Sequence, residues 1–186
     1  MNIRKAKISD SEQIAPILLL AMEDIIYKFI KKDDYAVAKN FLQYFIGKEN
    51  NQYSYQNCFV AEADNEIIGA VDIYNGADLK ALRNPIIEYV RTHFNPEFDP
   101  ELETKAGEFY IDSLGVNPKH QGKGIGSKLL TFLIEEFVAK NNQTLGLLVE
   151  EDNPNAKKLY LNLGFQSVGE KTLVGKTLEH LQISPK

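Results

Sequence analysis

Residues 116 to 130, VNPKHQGKGIGSKLL, carry Gly122, Gly124 and Gly126 at alternate positions among Lys119, His120, Lys123 and Lys128. Glycine lets a backbone take positive φ and come close to a ligand. Where such a turn opens a helix, the first N–H groups lack helical acceptors, and the helix dipole adds about half a positive charge. This is anion-binding chemistry, and the anion it suits is a phosphate. Amides from Gln121 through Ser127 would form the concavity, and a Cβ at the glycines would push the phosphate away.

Three glycine-rich templates compete for this run. A P-loop needs a second glycine at its sixth position, but counting from Gly122 that position is Ser127. The dinucleotide fingerprint needs GxGxxG, whereas this run is GxGxG, and no acidic residue ends a strand about twenty residues later. The third template, (Q/R)xxGx(G/A), fits Gln121-Gly122-Lys123-Gly124-Ile125-Gly126. With its flanks, LGVNPKHQGKGIGSKLL resembles the acetyl-CoA signature of the GNAT superfamily of N-acetyltransferases. A second segment, NPNAKKLYLNLGFQSVG, is similar to a downstream part of the same family. The resemblance is close over residues 110 to 170, and the order of elements extends it to the whole chain.

The resemblance implies a co-substrate, acetyl-CoA, and a single-domain α/β fold over residues 1 to 186. That fold has a mixed central sheet of six or seven strands flanked by helices, with two splayed parallel strands forming the acetyl-CoA cleft. It assigns the diphosphate to Gln121, Gly122, Lys123, Gly124, Gly126 and Ser127, and main-chain pairing of the pantetheine arm to Leu114 and Val116. An arm rich in amides behaves like a short added strand. Asn153 would also bond the arm, and the strand TLGLLVE would form the other side of the wedge. Gly115 and Gly146 are compatible with a bulge, a close approach or plain packing there.

Acyl transfer to an amine poses three tasks: a base for the amine, polarisation of the thioester carbonyl, and an acid for the thiolate. Glu108 and Asp112 lie four positions apart in EFYIDSLGV, so they share a face with Tyr110 if the strand has no bulge. By resemblance either can be the base; each can equally bind a cationic substrate or make a structural pair. Asn153, Ala156, Tyr160 and Leu163 follow 3, 4, 3 spacing and share one helix face. A tyrosine hydroxyl, with pKa of about 10, is protonated at neutral pH. The resemblance makes Tyr160 the acid; the alternative is a core tyrosine using only its ring.

These residues need a scaffold. NIRKAKI alternates as a strand. Ser9, Asp10 or Ser11 caps a helix running to residue 29, with Pro16 admissible only in the first turn. A second helix covers 34 to 46. CFVAEA and EIIGAVDIY form a hairpin turned at Asp64-Asn65. Residues 77 to 93 read as helix interrupted by Pro85. EFYIDSLGV is a strand, GIGSKLLTFLIEEFVAK a helix and TLGLLVE a buried strand. Asn153 N-caps another helix, with Pro154 in its first position and Gly164 at its end. Two strands close the chain, giving βααββ(α)βαβαββ.

At 186 residues the chain buries about 70% of its extended surface and needs no staple. A net charge of −5 argues against nucleic acid and anionic membrane as partners. Cys58 is the only cysteine, read as a small apolar strand residue, and His93, His120 and His180 show no metal-ligand spacing, so no metal is expected. No apolar leader or membrane-length run is present, which suits a cytoplasmic protein. The amine acceptor is left open; Glu23, Asp24, Asp33, Asp34 and the acidic run NPEFDPELETKAGE favour a cation. A homodimer is open too. The competing function is a coenzyme-binding sensor of the same fold without turnover; an unrelated nucleotide-binding α/β protein is a third reading.

Overall fold

The computed structural model describes every residue except Asp152, Val174 and Lys186. Along the chain run β1 (Asn2–Lys5), α1 (Ser11–Ile30), α2 (Tyr35–Ile46), β2 (Cys58–Ala63), β3 (Glu66–Asn75) and α3 (Leu79–His93). They are followed by β4 (Phe109–Val116), α4 (Ile125–Leu133), β5 (Leu145–Glu150), α5 (Pro154–Asn162), β6 (Gln166–Leu173) and β7 (Lys176–Ile183). This is the order expected from the sequence. The helix begun by α4 continues as a π-helical stretch over Ile134–Lys140.

The strands form one sheet of seven in the order β1-β2-β3-β4-β5-β7-β6. Among the described residues β4 and β5 are the parallel pair, and the other neighbours are antiparallel. Asp64 and Asn65 both take positive φ, 53° and 62°, as a two-residue turn joining right-twisted strands requires. Helices cover both faces. Ile14, Leu18, Ile26, Phe41, Leu42 and Val90 belong to the core under α1, α2 and α3. Leu129, Leu133, Leu147 and Phe165 belong to the core under α4 and α5.

Three local expectations need correction. Helix α3 is not interrupted: it runs through Pro85 to His93. Pro85 and Ala81 both lie on its exposed face, so the carbonyl that loses its donor meets water while Ile86 and Val90 hold the helix from within. Pro16 stands beyond the first turn of α1, and Asp10 makes no capping bond to that helix. Its carboxylate instead accepts from Arg4 and from the Lys7 amide, both at 2.7 Å. Finally, α1 is broken at Met22, whose φ of −140° and ψ of 19° are not helical. Among the described residues, no helix is long and apolar enough to cross a membrane.

Candidate active site

Strands β4 and β5 pair only at Phe109–Leu145 and Tyr110–Gly146. Both continue beyond that point, β4 to Val116 and β5 to Glu150, without pairing to each other. The sheet therefore opens into a wedge whose apex is at Tyr110, leaving main-chain groups of β4 free along one edge. A bulge accompanies the opening: Ile111 opposes Ile73 and Ser113 opposes Asp72, so Asp112 is the extra residue.

The glycine turn stands at the open end. Gly122 and Gly124 have φ of 75° and 72°, and no atom lies within 4 Å of where a Cβ would be. Conformation, not space, demands glycine at both. Gly124 N-caps α4, and the Lys128 amide donates to its carbonyl at 3.0 Å. The amides of Ile125, Gly126 and Ser127 therefore precede the first helical bond. A Cβ at Gly126 would sit 3.5 Å from Leu114 and 3.8 Å from Val116, so the first turn of α4 rests on the end of β4. Gln121 Nε2 donates to the Val116 carbonyl at 3.2 Å and ties turn to strand. Lys123 projects from the exposed part of the turn. The structure thus brings Leu114, Val116 and residues 121 to 127 together.

Across the wedge, Asn153 caps α5 by accepting from the Ala156 amide at 3.2 Å, with Pro154 next. Ala156, Tyr160 and Leu163 pack on the same core, confirming one shared helix face. The Tyr160 ring meets Phe165 edge-on at 5.9 Å, and burial raises its phenol above the ordinary value. Gly164 takes φ of 99°, and Phe165 is buried beyond it.

Glu108 and Asp112 share the opposite face, but their surroundings differ. Glu108 is enclosed: Thr104 Oγ1 donates to its Oε1 at 2.6 Å, and Gln182 Nε2 donates to its Oε2 at 2.7 Å. His180 Nε2 stands 2.8 Å from the same Oε2. Asp112 Oδ1 accepts from Tyr74 Oη and Gln52 Nε2, each at 3.1 Å. Its Oδ2 is buried with no hydrogen-bond partner among the described residues. Burial first, then the Glu103 charge, push the Asp112 carboxyl up to about 7, while Arg83, Tyr74 and Gln52 pull the other way.

That network was missed by sequence reasoning. Glu103 looked like one acid in a solvated loop, yet it is buried, ion-paired with Arg83 and bonded by Gln52 and Tyr74, both at 3.0 Å. Arg83 Nε also donates to Gln52 Oε1 at 2.9 Å. His180 and Gln182 carried a faint signal, two polar residues at alternate positions of a strand and hence on one face. Cys58 is buried at the start of β2, and burial pushes its thiol well above the ordinary value, which suits the small apolar strand residue expected from the sequence. Beside Asp112 opens a cavity of about 130 Å³, walled by Met22, Phe29, Tyr53, Tyr110 and Leu178.

The model of the Acetyltransferase (GNAT) family matches residues 24–165. The chain belongs to the GNAT family. A curated relative, the spermine/spermidine N(1)-acetyltransferase of Bacillus subtilis (strain 168), is 33% identical over 82 residues, 44% of this GNAT chain and 53% of that protein. The matched stretch thus spans about half the length of that relative. Among solved structures, one described as an acetyltransferase superposes with a TM-score of 0.83 at 30% identity, covering 100% of both chains. An N-acetyltransferase from Staphylococcus aureus Mu50 gives a TM-score of 0.82 at 25% identity, covering 98% of this chain and 100% of the other. The GNAT fold expected from the sequence, a mixed α/β sheet with helices on both faces, is the fold found.

Proposed function

We propose that this GNAT chain, as one domain over residues 1 to 186, transfers an acetyl group from acetyl-CoA to a primary amine by direct attack. The observation that carries the proposal is the β4–β5 wedge, which opens at Tyr110 beside a carboxylate with an unpartnered oxygen. The residues present suit acetyl-CoA: positive-φ glycines with open space, amides ahead of the first helical bond, and an unpaired strand edge. In this reading Gln121, Gly122, Lys123, Gly124, Gly126 and Ser127 hold the diphosphate. Leu114 and Val116 pair with the arm through their main chain, and Asn153 adds a contact.

Bound acetyl-CoA supplies an activated acyl group with a thiolate as leaving group. Asp112 takes the proton that the amine must lose as its nitrogen bonds to the carbonyl carbon. Its pKa of about 7 suits a base working at neutral pH. Tyr160 gives its proton to the sulfur as the C–S bond breaks; its buried phenol keeps that proton until then. Ile111 packs in the core that holds Tyr160, while Tyr110 packs in the cluster on the other side. Acid and base therefore stand on opposite faces of the wedge. Glu108 acts here as a positioning residue, because its oxygens already meet Thr104, His180 and Gln182.

Thiol release from acetyl-CoA, measured with a panel of primary amines and the purified chain, tests the proposal. Amine-dependent release supports it. Binding of coenzyme A in calorimetry with no release for any amine would favour the sensor reading, and no binding at all would remove the donor assignment.

A further inference from the structure

Tyr74 of β3 is buried between two carboxylates. Its Oη lies 3.0 Å from Glu103 Oε1 and 3.1 Å from Asp112 Oδ1, and a phenol has one hydrogen to give. Gln52, buried between α2 and β2, closes the group. Arg83 Nε, which can only donate, meets Gln52 Oε1 at 2.9 Å, so the amide nitrogen must face the other way. There it finds Glu103 Oε1 at 3.0 Å, Asp112 Oδ1 at 3.1 Å and Tyr74 Oη at 3.3 Å. Its two hydrogens suffice for the two carboxylates. The Tyr74 hydrogen is then the donor left to choose between the acids.

That choice depends on charge. Glu103 Oε1 already receives the Arg83 guanidinium as well as Gln52, whereas Asp112 Oδ1 receives no cation. While Asp112 is ionised, it has the greater need of the hydrogen. Asp112 changes charge when a proton reaches Oδ2, which is buried with no partner among the described residues. A hydrogen bond to an ionised acceptor is about twice as strong as one to a neutral acceptor. Once Asp112 is neutral, the ion-paired Glu103 is therefore the better acceptor. The other groups facing Asp112 are Asp72 of β3, Cys58 of β2, Tyr53 and Tyr110, each pushed well above its ordinary value by burial first. Around the adjoining cavity stand Asp24 and Lys28 of α1, Glu101, Glu150 of β5 and Lys176 of β7.

We infer that Tyr74 is a positioning residue that works as a switch: its hydroxyl donates to Asp112 Oδ1 while that carboxyl is ionised, and turns to Glu103 Oε1 once Oδ2 has taken the amine proton. The inference rests on the reading of Asp112 as base. Tyr74 keeps its own proton throughout, and the one proton that changes owner passes from the amine to Asp112. In both states a carboxylate receives the phenol hydrogen, and Gln52 stays in place. The proton therefore arrives without leaving a buried donor unpaired, which is the costly event in such a network.

The test is a pH–rate profile of Tyr74→Phe in two backgrounds. The variant leaves Gln52 two hydrogens for two carboxylates, so no group loses its last partner. In the wild type the limb should move by less than about half a unit, because the donor serves an anion in either state. In Glu103→Gln the same substitution should raise the limb by about one unit, since the hydrogen there has one anion to serve. Equal upward shifts in both backgrounds would mark a fixed donor, and no shift in either a ring that only packs. Each overturns the switch while leaving Asp112 as base. A limb that persists in Asp112→Asn would remove the base and the switch with it. Infrared bands of Asp112, assigned by their loss in Asp112→Asn, decide the matter without the double variant or any amine. Tyr74→Phe should shift the ionised carboxylate band and leave the protonated carbonyl band in place; a shift of both, or of neither, would overturn the switch.

Discussion

The carboxylate of Glu108, the residue just before β4, lies over Gly146 of β5 and meets His180 Nε2 of β7 at 2.8 Å. A Cβ on Gly146 would overlap that carboxylate. Glu108 thus spans β5 and links β4 to β7 at the apex of the wedge, next to the last paired residues, Tyr110 and Gly146. Gly146→Ala should force the carboxylate off its donors and destabilise by about 1–3 kcal/mol. Thermal unfolding should record a fall of about 2–4 °C per kcal/mol for a chain of this size. Combined with Glu108→Ala the two losses should be clearly less than additive, since both act on one contact.

The Asp112 assignment predicts a rate that rises with pH through about 7, because only the ionised carboxylate accepts the proton. Asp112→Asn keeps an oxygen for Tyr74 and Gln52 but should lower kcat/KM by about 10²–10⁴-fold and abolish that limb. Glu108→Gln should keep the limb and change the KM for acetyl-CoA instead. A pH–rate profile of the two variants separates base from positioning residue.

The same carboxyl makes a stability prediction of opposite sense. Its folded pKa is raised from 3.8 to about 7, so the folded state binds the proton more tightly than the unfolded chain does. That contribution is complete below about pH 4 and is lost as pH rises through about 7, at roughly 1.4 kcal/mol per unit at most. Thermal unfolding of the wild type should weaken between pH 5 and 8, and Asp112→Asn should weaken less.

Glu103 raises the Asp112 carboxyl through its charge. Glu103→Gln should move the rising limb of the rate profile to lower pH. It should also cost stability, because Arg83 then keeps a buried charge without its partner.

If Tyr160 protonates the thiolate, Tyr160→Phe should lower kcat by about a hundredfold with the KM for acetyl-CoA little changed. A ring serving only the packing against Phe165 would leave kcat as it was.

Gly124, at φ 72°, should accept alanine only at about 1–2 kcal/mol of backbone strain. Gly124→Ala should therefore weaken coenzyme A binding by about tenfold in calorimetry, with kcat at saturating donor largely kept.

The sequence alone determined the order of elements, the turn at Asp64 and Asn65, the cap at Asn153, and the glycine run that opens α4. Each depends on residues within a few positions of one another, where periodicity and turn chemistry are legible. It also placed Glu108 and Asp112 as rivals, because spacing in a strand fixes which face a side chain takes. Only the tertiary structure shows that their surroundings differ. Gln182 and His180 reach Glu108 from 74 and 72 positions away, and Gln52 reaches Asp112 from 60. A carboxylate's proton affinity is set by whichever dipoles and charges surround it after folding, and those neighbours come from distant parts of the chain. The break at Met22 was hidden for a related reason: the apolar pattern of α1 runs on across it, so nothing in the local spacing marks where the helix bends.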